Sequence, residues 1–344
     1  MPPAAAVCVN RQMIIVTGGA GFIGSNLVAA LEDAGETDIV ICDRLLDGVK
    51  WRNIAKRLPR DIIRPDDLLA YVATHAGVIT TIFHLGANSS TTATDGDEIV
   101  ATNFTLSVAL WRLCAQHGIG FIYASSAAVY GDGAQGFADS NDLAGLRTLR
   151  PLNLYGWSKW LFDGWVLASI ARDEPAPPTW AGLRFFNVYG PNEYHKGPMQ
   201  SLVAKIVSAH RPGAAVQLFK SYRPDFADGW QLRDFIWVDD AVAVMLWLRT
   251  SGQAGGRAGG IINLGTGIAR SFHDLASAAI RACGETPRIE YVDMPAAIRP
   301  AYQYYTCADV SRLRVLGYSA PFITLEAGVT RYVATFLRGK DRYR

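Results

Sequence analysis

The sequence predicts an α/β fold: a doubly wound parallel sheet with a smaller, interleaved substrate-binding part toward the C-terminal side. Two observations carry that prediction. Short apolar runs, suited to strands covered on both faces, alternate with helical stretches through the first half of the 344 residues. The first of these strands runs through a glycine-rich turn directly into a helix. That order sets a helix N-terminus at the end of a parallel strand.

Met1–Gln12 lacks a basic start and a real hydrophobic segment, so it reads as a loosely ordered extension rather than a signal peptide. Met13-Ile-Ile-Val-Thr17 suits a buried strand. In Gly18-Gly-Ala-Gly-Phe-Ile-Gly24, the glycines at 18, 21 and 24 allow a tight turn, close approach of backbone to a pyrophosphate, and close packing of helix on strand. Ser25–Asp33 is the helix, ending near Gly35. The next strand, Asp38-Ile-Val-Ile-Cys-Asp43, ends in an acid about 25 residues after the first glycine, where a ribose-binding carboxylate belongs. Strand, glycine turn, helix, strand and terminal acid in this order predict dinucleotide binding.

Strand signals continue at Ile62-Ile63, Thr80–Gly86, Gly120–Ser126 and Ala181–Val188, with helices over about Asp95–His117 and from Tyr155 to about Arg172. Asp132–Arg150 lacks periodicity and reads as a loop, and Glu174–Pro178 as a rigid connector. Farther on, Asp234–Val238 and Gly260–Gly265 are apolar enough to return to the main sheet, while Gly252–Gly260 reads as a flexible surface loop. The expected organisation is an extension over 1–12, a Rossmann-type NAD(P)-binding domain over 13–187, and a substrate-binding domain over 188–344. Segments near 234–240 and 260–267 are expected to rejoin the first domain.

A net charge of +2 with scattered Lys and Arg argues against a nucleic-acid or polyanion binder. No apolar stretch approaches the roughly 20 residues of a membrane span. Five cysteines without metal-ligand spacing read as reduced thiols of a cytoplasmic protein, with no metal site.

Tyr155 and Lys159 lie four residues apart on the expected helix, hence on one face. A free tyrosine titrates near pH 10, and an adjacent ammonium favours its phenolate, so the pair can take a proton from an alcohol undergoing oxidation. A half-buried aromatic beside a solvated lysine has the same spacing.

Gly18–Gly24, Ser125-Ser-Ala-Ala-Val-Tyr-Gly131, Tyr155-x-x-x-Lys159, Arg184-Phe-Phe-Asn-Val-Tyr-Gly-Pro191 and Arg233-Asp-Phe-x-x-Val238 recur in the order of the extended short-chain dehydrogenase/reductase superfamily, which the chain resembles over nearly its whole length. His84–Thr92, Leu161-Phe-Asp163, Asn187–Met199 and Ala301–Asp309 are similar to the ADP-L-glycero-D-manno-heptose 6-epimerases within it, with His195-Lys196-Gly197 the most specific of these features. The resemblance implies epimerisation at C6 through a transient ketone, with the cofactor retained through turnover. It makes Tyr155 the proton acceptor, Lys159 its activator and holder of the cofactor ribose, Ser126 the hydrogen-bond partner of the reacting oxygen, and Lys196 a second base across the carbon. From the sequence alone, Ser126 could merely cap a turn, and Lys196 could be a surface lysine.

The resemblance implies that the cofactor touches Gly18, Gly21, Phe22, Ile23 and Gly24, the group Asp43, Arg44 and Lys50, the run Leu85-Gly86-Ala87-Asn88-Ser89, and Asn103, Lys159, Val188 and Lys196. Substrate contacts are implied for Ser126, Asn187, His195, Lys205, Phe219, Lys220, Ser221, Arg233 and Tyr302. Arg233 suits a diphosphate because guanidinium offers paired donors, but an ion pair with Asp234 would explain it too. His84 reads as packed at a strand end. Asp43 favours a free ribose 2′-hydroxyl, whereas Arg44 with Lys50 favours a 2′-phosphate; the expectation is NADP, with NAD the alternative. Leu85, Pro198 and a long Tyr222–Gln231 segment depart from the family pattern.

Ala127 and Ala128 stand where a related dehydratase needs its acid pair, which removes elimination. A nucleotide-sugar 4-epimerase, or a non-catalytic NAD(P)-binding regulator, are the competing readings. The resemblance also implies a homo-oligomer, a pentamer in the family.

Overall fold

Met13–Thr17 forms β1, and all five residues are buried, as a strand covered on both faces requires. The computed structural model describes residues 12–344 apart from 47, 254–258, 297, 300 and 301. Of the expected N-terminal extension over 1–12 only Gln12 is described, its N–H donating to Val78 O at 3.1 Å, and the middle of the expected 252–260 loop lies outside the described residues.

The further strands are β2 (Ile39–Cys42), β3 (Asp61–Ile63), β4 (Ile79–His84), β5 (Gly120–Ser126), β6 (Trp180–Phe185), β7 (Asn187–Tyr189), β8 (Val216–Phe219), β9 (Leu232–Trp237), β10 (Gly260–Leu264), β11 (Ala269–Ser271) and β12 (Ile289–Val292). Seven of them make a parallel sheet in the order β10-β6-β5-β4-β1-β2-β3. The order reverses between β1 and β4, and a doubly wound sheet opens a ligand crevice at the carboxyl ends of the strands there. Residues of β1 alternate between the two faces. Ile14 and Val16 join a cluster that runs through Leu183 and Trp237 to Leu275. Met13 and Ile15 join another, with Ile82, Trp111 and Phe121. The first cluster spans both expected domains, so the two halves share a core.

The helices are α1 (Phe22–Asp33), α2 (Leu68–His75), α3 (Gly96–Ile99), α4 (Leu106–His117), α5 (Leu143–Thr148), α6 (Leu154–Ala171), α7 (Leu202–Ala209), α8 (Val238–Gln253), α9 (Phe272–Ala282), α10 (Ser311–Val315) and α11 (Leu325–Tyr332). The expected 95–117 helix is α3 and α4 joined by a π-helical turn over Val100–Thr105, capped by Asp95 and stopped at Gly118 in the left-handed region. The turn carries the buried Asn103; such turns often mark functional sites.

Two expectations are corrected. The 132–150 segment is not all loop: α5 starts on Asp142, whose carboxylate accepts from Gly145 N at 2.6 Å. Six residues are too few for a helical period to show. Asp234–Val238 does not return to the main sheet. It falls mainly on β9, the centre of a three-stranded sheet β11-β9-β7, while β10 does pair with β6 as expected. An apolar run reports burial on both faces and carries no information about which sheet supplies the neighbours. The chain regains the first half one element later, where α8 packs on α1. No helix among the described residues is long and apolar enough to cross a membrane.

Candidate active site

A cleft of about 1260 Å³ opens at the reversal point and extends over the second half of the chain. One end is built by the glycine turn. Gly18 has φ +66, and a Cβ there would stand 2.8 Å from Gly86 N, so the ends of β1 and β4 touch. A Cβ on Gly24 would lie 2.1 Å from Gly18 O, so only hydrogen lets α1 sit this close. Gly21 caps α1 with no side-chain hydrogen bond, and the first turn holds no acid. Unsatisfied N–H groups at a helix start, without a competing carboxylate, fit a pyrophosphate.

Gly18, Gly21, Phe22, Ile23, Gly24, Asp43, Lys50, Leu85, Gly86, Ala87 and Ser89 all line this end. Asp43 is already engaged: it accepts from Ala20 N at 2.9 Å, from Arg44 N at 2.7 Å and from the Lys50 ammonium at 2.5 Å. Arg44 does not line the cleft; its guanidinium pairs with Asp66 at 2.9 Å. Asn88 and Asn103 also stand back from the wall and brace it. Asn103 accepts from Asn88 N at 2.8 Å and donates to Asn88 O at 2.9 Å and Ser158 Oγ at 3.0 Å. His84 is packed at its strand end, between Thr17 Oγ1 at 2.8 Å and Ser107 Oγ at 2.9 Å. Burial lowers its pKa to about 3.

The middle of the cleft belongs to α6. Asn153 caps it through a bond from Gly156 N, and its inner face holds Gly156, Ser158, Lys159, Phe162, Asp163 and Val166. Tyr155 and Lys159 both line the cleft, with the ammonium 6.0 Å from the phenol ring centroid. Burial lowers Lys159 to about 8, opposed by the charge of Asp163. The expectation that Lys159 lowers the Tyr155 pKa is not what the structure displays. Burial raises Tyr155, with only the Ser126 hydroxyl acting the other way. Desolvation penalises phenolate and ammonium alike, and it is the largest influence on each. Ser126 lines the cleft at the end of β5 and also accepts from Ala128 N at 3.1 Å, so wall position and turn cap coexist. Behind this pair, the buried Asp163 accepts from Arg184 Nε at 3.0 Å, Ser125 Oγ at 2.9 Å and Tyr123 OH at 3.1 Å.

The loop after β7 adds a further stretch of wall. Gly197 takes φ +53, an orientation open to glycine, and turns the chain directly after Lys196. Lys196 is half-buried with its ammonium 5.3 Å from the Phe22 ring centroid. Burial lowers its pKa; Glu193 raises it and Lys205 lowers it. His195 lies 3.0 Å from Asn53 Nδ2 through Nδ1 and is lowered to about 4 by burial and by the charges of Lys50 and Lys196.

Lys196, His195, Lys205, Asn187, Val188, Phe219 and Tyr302 share this cleft with Tyr155. Three expected substrate residues do not line it. Lys220 pairs with Asp293 at 3.3 Å, and Ser221 N donates to Asp228 at 2.7 Å. Arg233 lies behind Phe272 and Tyr302, its guanidinium 5.5 and 5.4 Å from their ring centroids, and donates to the Leu232 and Gln303 carbonyls. It forms no ion pair with Asp234, which accepts from Thr266, Gly267 and Ala308 N–H groups; successive residues of a strand point to opposite faces. Burial lowers the Arg233 pKa. Sequence reasoning missed Thr91, Tyr194, Gln200, Gln217, Gln231 and Phe272 on the wall. Of these Thr91 and Tyr194 carried a signal, lying inside the His84–Thr92 and Asn187–Met199 motifs.

The model described as the NAD dependent epimerase/dehydratase family matches residues 14–265. The ADP-L-glycero-D-manno-heptose-6-epimerase of Nitratidesulfovibrio vulgaris (strain DP4) is 44% identical over 334 residues, covering 96% of this chain and all of the relative. That of Fusobacterium nucleatum subsp. nucleatum is 42% identical over 339 residues, with 96% of this chain and 100% of the relative covered. Among solved structures, the Helicobacter pylori ADP-L-glycero-D-manno-heptose-6-epimerase matches with a TM-score of 0.74 at 27% identity, covering 94% of this chain and 96% of that one. MoeE5 in complex with UDP-glucuronic acid and NAD matches with a TM-score of 0.69 at 29% identity, covering 92% and 96%. The chain therefore belongs to the NAD-dependent epimerase/dehydratase family, in the group of its ADP-L-glycero-D-manno-heptose-6-epimerases.

Proposed function

We propose that the chain converts ADP-D-glycero-D-manno-heptose to ADP-L-glycero-D-manno-heptose by inversion at C6. The observation that carries this reading is one cleft lined by Tyr155 with Lys159 and also by Lys196, whose ammonium stands 5.3 Å from the Phe22 ring centroid and whose pKa burial lowers. Two separate proton-handling groups in one cleft suit a carbon attacked from both faces. A nicotinamide cofactor held by the glycine turn would supply an acceptor, and then a donor, for the C6 hydride. Tyr155 takes the hydroxyl proton as the C6–H bond breaks, and Ser126 holds the oxygen. The ketone then turns over in the pocket. A C–H bond forms on its other face, and the Lys196 ammonium gives the new alkoxide its proton. No net oxidation occurs. Lys159 holds the cofactor ribose and keeps a positive charge beside the phenol.

We read the cofactor as NADP. Lys50 lines the cleft, so an ammonium stands ready for a 2′-phosphate, while the Asp43 oxygens are already occupied by Lys50, Ala20 N and Arg44 N. Arg44, turned to Asp66, lends this no support. A homo-oligomer, pentameric as in the family, and a cytoplasmic location belong to the same proposal; light scattering reads the first.

The test is incubation with ADP-D-glycero-D-manno-heptose, with C6 inversion followed by NMR. Turnover of a UDP-hexose in its place would make the chain a 4-epimerase and sink the heptose reading. Lys196→Ala is expected to lower kcat by roughly 10²–10⁴-fold. Near-normal inversion by that variant would remove the second base.

A further inference from the structure

The loop that carries His195 and Lys196 is gripped from outside by residues remote in sequence, Asp341-Arg342-Tyr343-Arg344. The Tyr194 hydroxyl donates to Arg342 O at 2.8 Å. The Arg342 guanidinium lies 3.9 Å from the Tyr194 ring centroid, and the Tyr343 ring meets Tyr194 edge-on with centroids 5.3 Å apart. Arg344 N donates to Asn192 Oδ1 at 3.0 Å. Asn192 is fully buried, sits at φ +70, and donates to Ser25 Oγ on α1 at 3.0 Å.

The 341–344 segment is itself tied to the nucleotide-binding half. The Lys56 ammonium reaches Asp341 at 2.7 Å and Tyr343 O at 2.5 Å, and the Arg344 guanidinium reaches Asp33 at 3.4 Å and also Asp239. On its inner side the loop is held by Glu193, fully buried, which accepts from Ser201 N, from Ser201 Oγ at 2.6 Å and from Tyr332 OH at 3.0 Å. His195 is held by Asn53. Residues 192 to 195 are thus each pinned, and Lys196, which directly follows them, lines the cleft together with Tyr194 and His195.

We infer that residues 341–344 form a strap that positions Lys196, seating its loop against α1 so that the ammonium is held by Phe22 in the cleft that Tyr155 also lines. The inference rests on the two-base reading above. Arg342, Tyr343 and Arg344 are positioning residues: they do not line the cleft. Two contact types hold the strap. Cation–π and edge-on ring contacts fix Tyr194, and a backbone donor fixes Asn192. Loss of the first frees the residue two positions before Lys196, and a shift of about 1 Å in a reacting group is enough to cost roughly 100-fold in rate.

The experiment uses the full chain with its cofactor bound and compares Arg342→Ala/Tyr343→Ala with the parent and with Lys196→Ala. The double variant is expected to lose roughly 10- to 100-fold in kcat with KM little changed. On mixing with substrate it should accumulate reduced nicotinamide, seen by absorbance, because oxidation on the Tyr155 side proceeds while protonation on the Lys196 side lags. Lys196→Ala should accumulate it likewise, and Arg342→Lys should restore most of the rate. A parent-like kcat overturns the strap. So does a lower kcat with no accumulation and with weakened cofactor binding, which marks a merely structural segment. If the double variant fails to fold, Arg342→Ala alone, which removes the guanidinium from the Tyr194 ring, is expected to give the same pattern with a smaller loss. Near-normal epimerisation by Lys196→Ala is a separate result, since it removes the second base whatever the strap does.

Discussion

Gly24→Ala isolates the glycine turn. The added Cβ would stand 2.1 Å from Gly18 O, 2.8 Å from Gly18 C and 2.9 Å from Gly19 Cα, all backbone atoms that cannot rotate away. Bringing the first contact to an ordinary 3.4 Å requires α1 and the turn to separate by about 1.3 Å. The N–H groups at the start of α1 move by the same amount relative to Gly18. Hydrogen bonds to charged groups contribute about 1.5–3 kcal/mol each, so misaligning one or two weakens pyrophosphate binding by about 2–4 kcal/mol, roughly 30- to 1000-fold in Kd. Stability changes less. Overpacking costs about 1–3 kcal/mol, and replacing glycine inside a helix returns up to about 1 kcal/mol. The assay is fluorescence titration of cofactor-stripped protein with NADP and NAD, with melting of the same samples as control. A Kd within about threefold of the parent, for protein that melts normally, would refute the assignment of this turn as the pyrophosphate cradle.

Lys159→Met tests the burial of the ammonium. With its folded pKa lowered from 10.5 to about 8, both states hold the proton below pH 8 and the cost of burial is present in full. Between 8 and 10.5 the unfolded chain keeps a proton that the folded one has released, so stability rises with pH there, by up to about 3 kcal/mol. The variant should flatten that rise in melting curves; an unchanged slope removes the effect. Asp163→Asn leaves the Arg184 guanidinium buried without its carboxylate, which is expected to cost about 3–5 kcal/mol and about 4–7 °C in Tm by calorimetry. A shift under about 1 °C would show that Arg184 finds other partners. Lys50→Ala should weaken NADP by roughly tenfold or more while changing NAD little; equal losses for both cofactors would remove the 2′-phosphate reading.

Much of the site was legible because its parts are local in sequence. Tyr155, Lys159 and Asp163 share a face at four-residue spacing, and Gly18 to Gly24 form one turn between a strand and the helix it enters. The seven-stranded sheet followed from buried runs alternating with helices, although the same signal misassigned β9. The short α5 escaped because one and a half turns give no period.

The sequence by itself determined the strand, glycine turn and helix that open the parallel sheet, the face shared by Tyr155 and Lys159, and the alanines at 127 and 128. Only the tertiary structure decided that Lys50 neutralises Asp43 while Arg44 turns to Asp66, and that Arg233 stands behind Phe272 and Tyr302. It alone joined Asn53 to His195 and Arg342 to Tyr194, across 142 and 148 residues. Periodicity along a chain encodes which face of an element is buried. The partner met across a cleft depends on how whole elements dock, and so does the degree of desolvation that decides whether a lysine beside a tyrosine lowers its pKa or shares its burial.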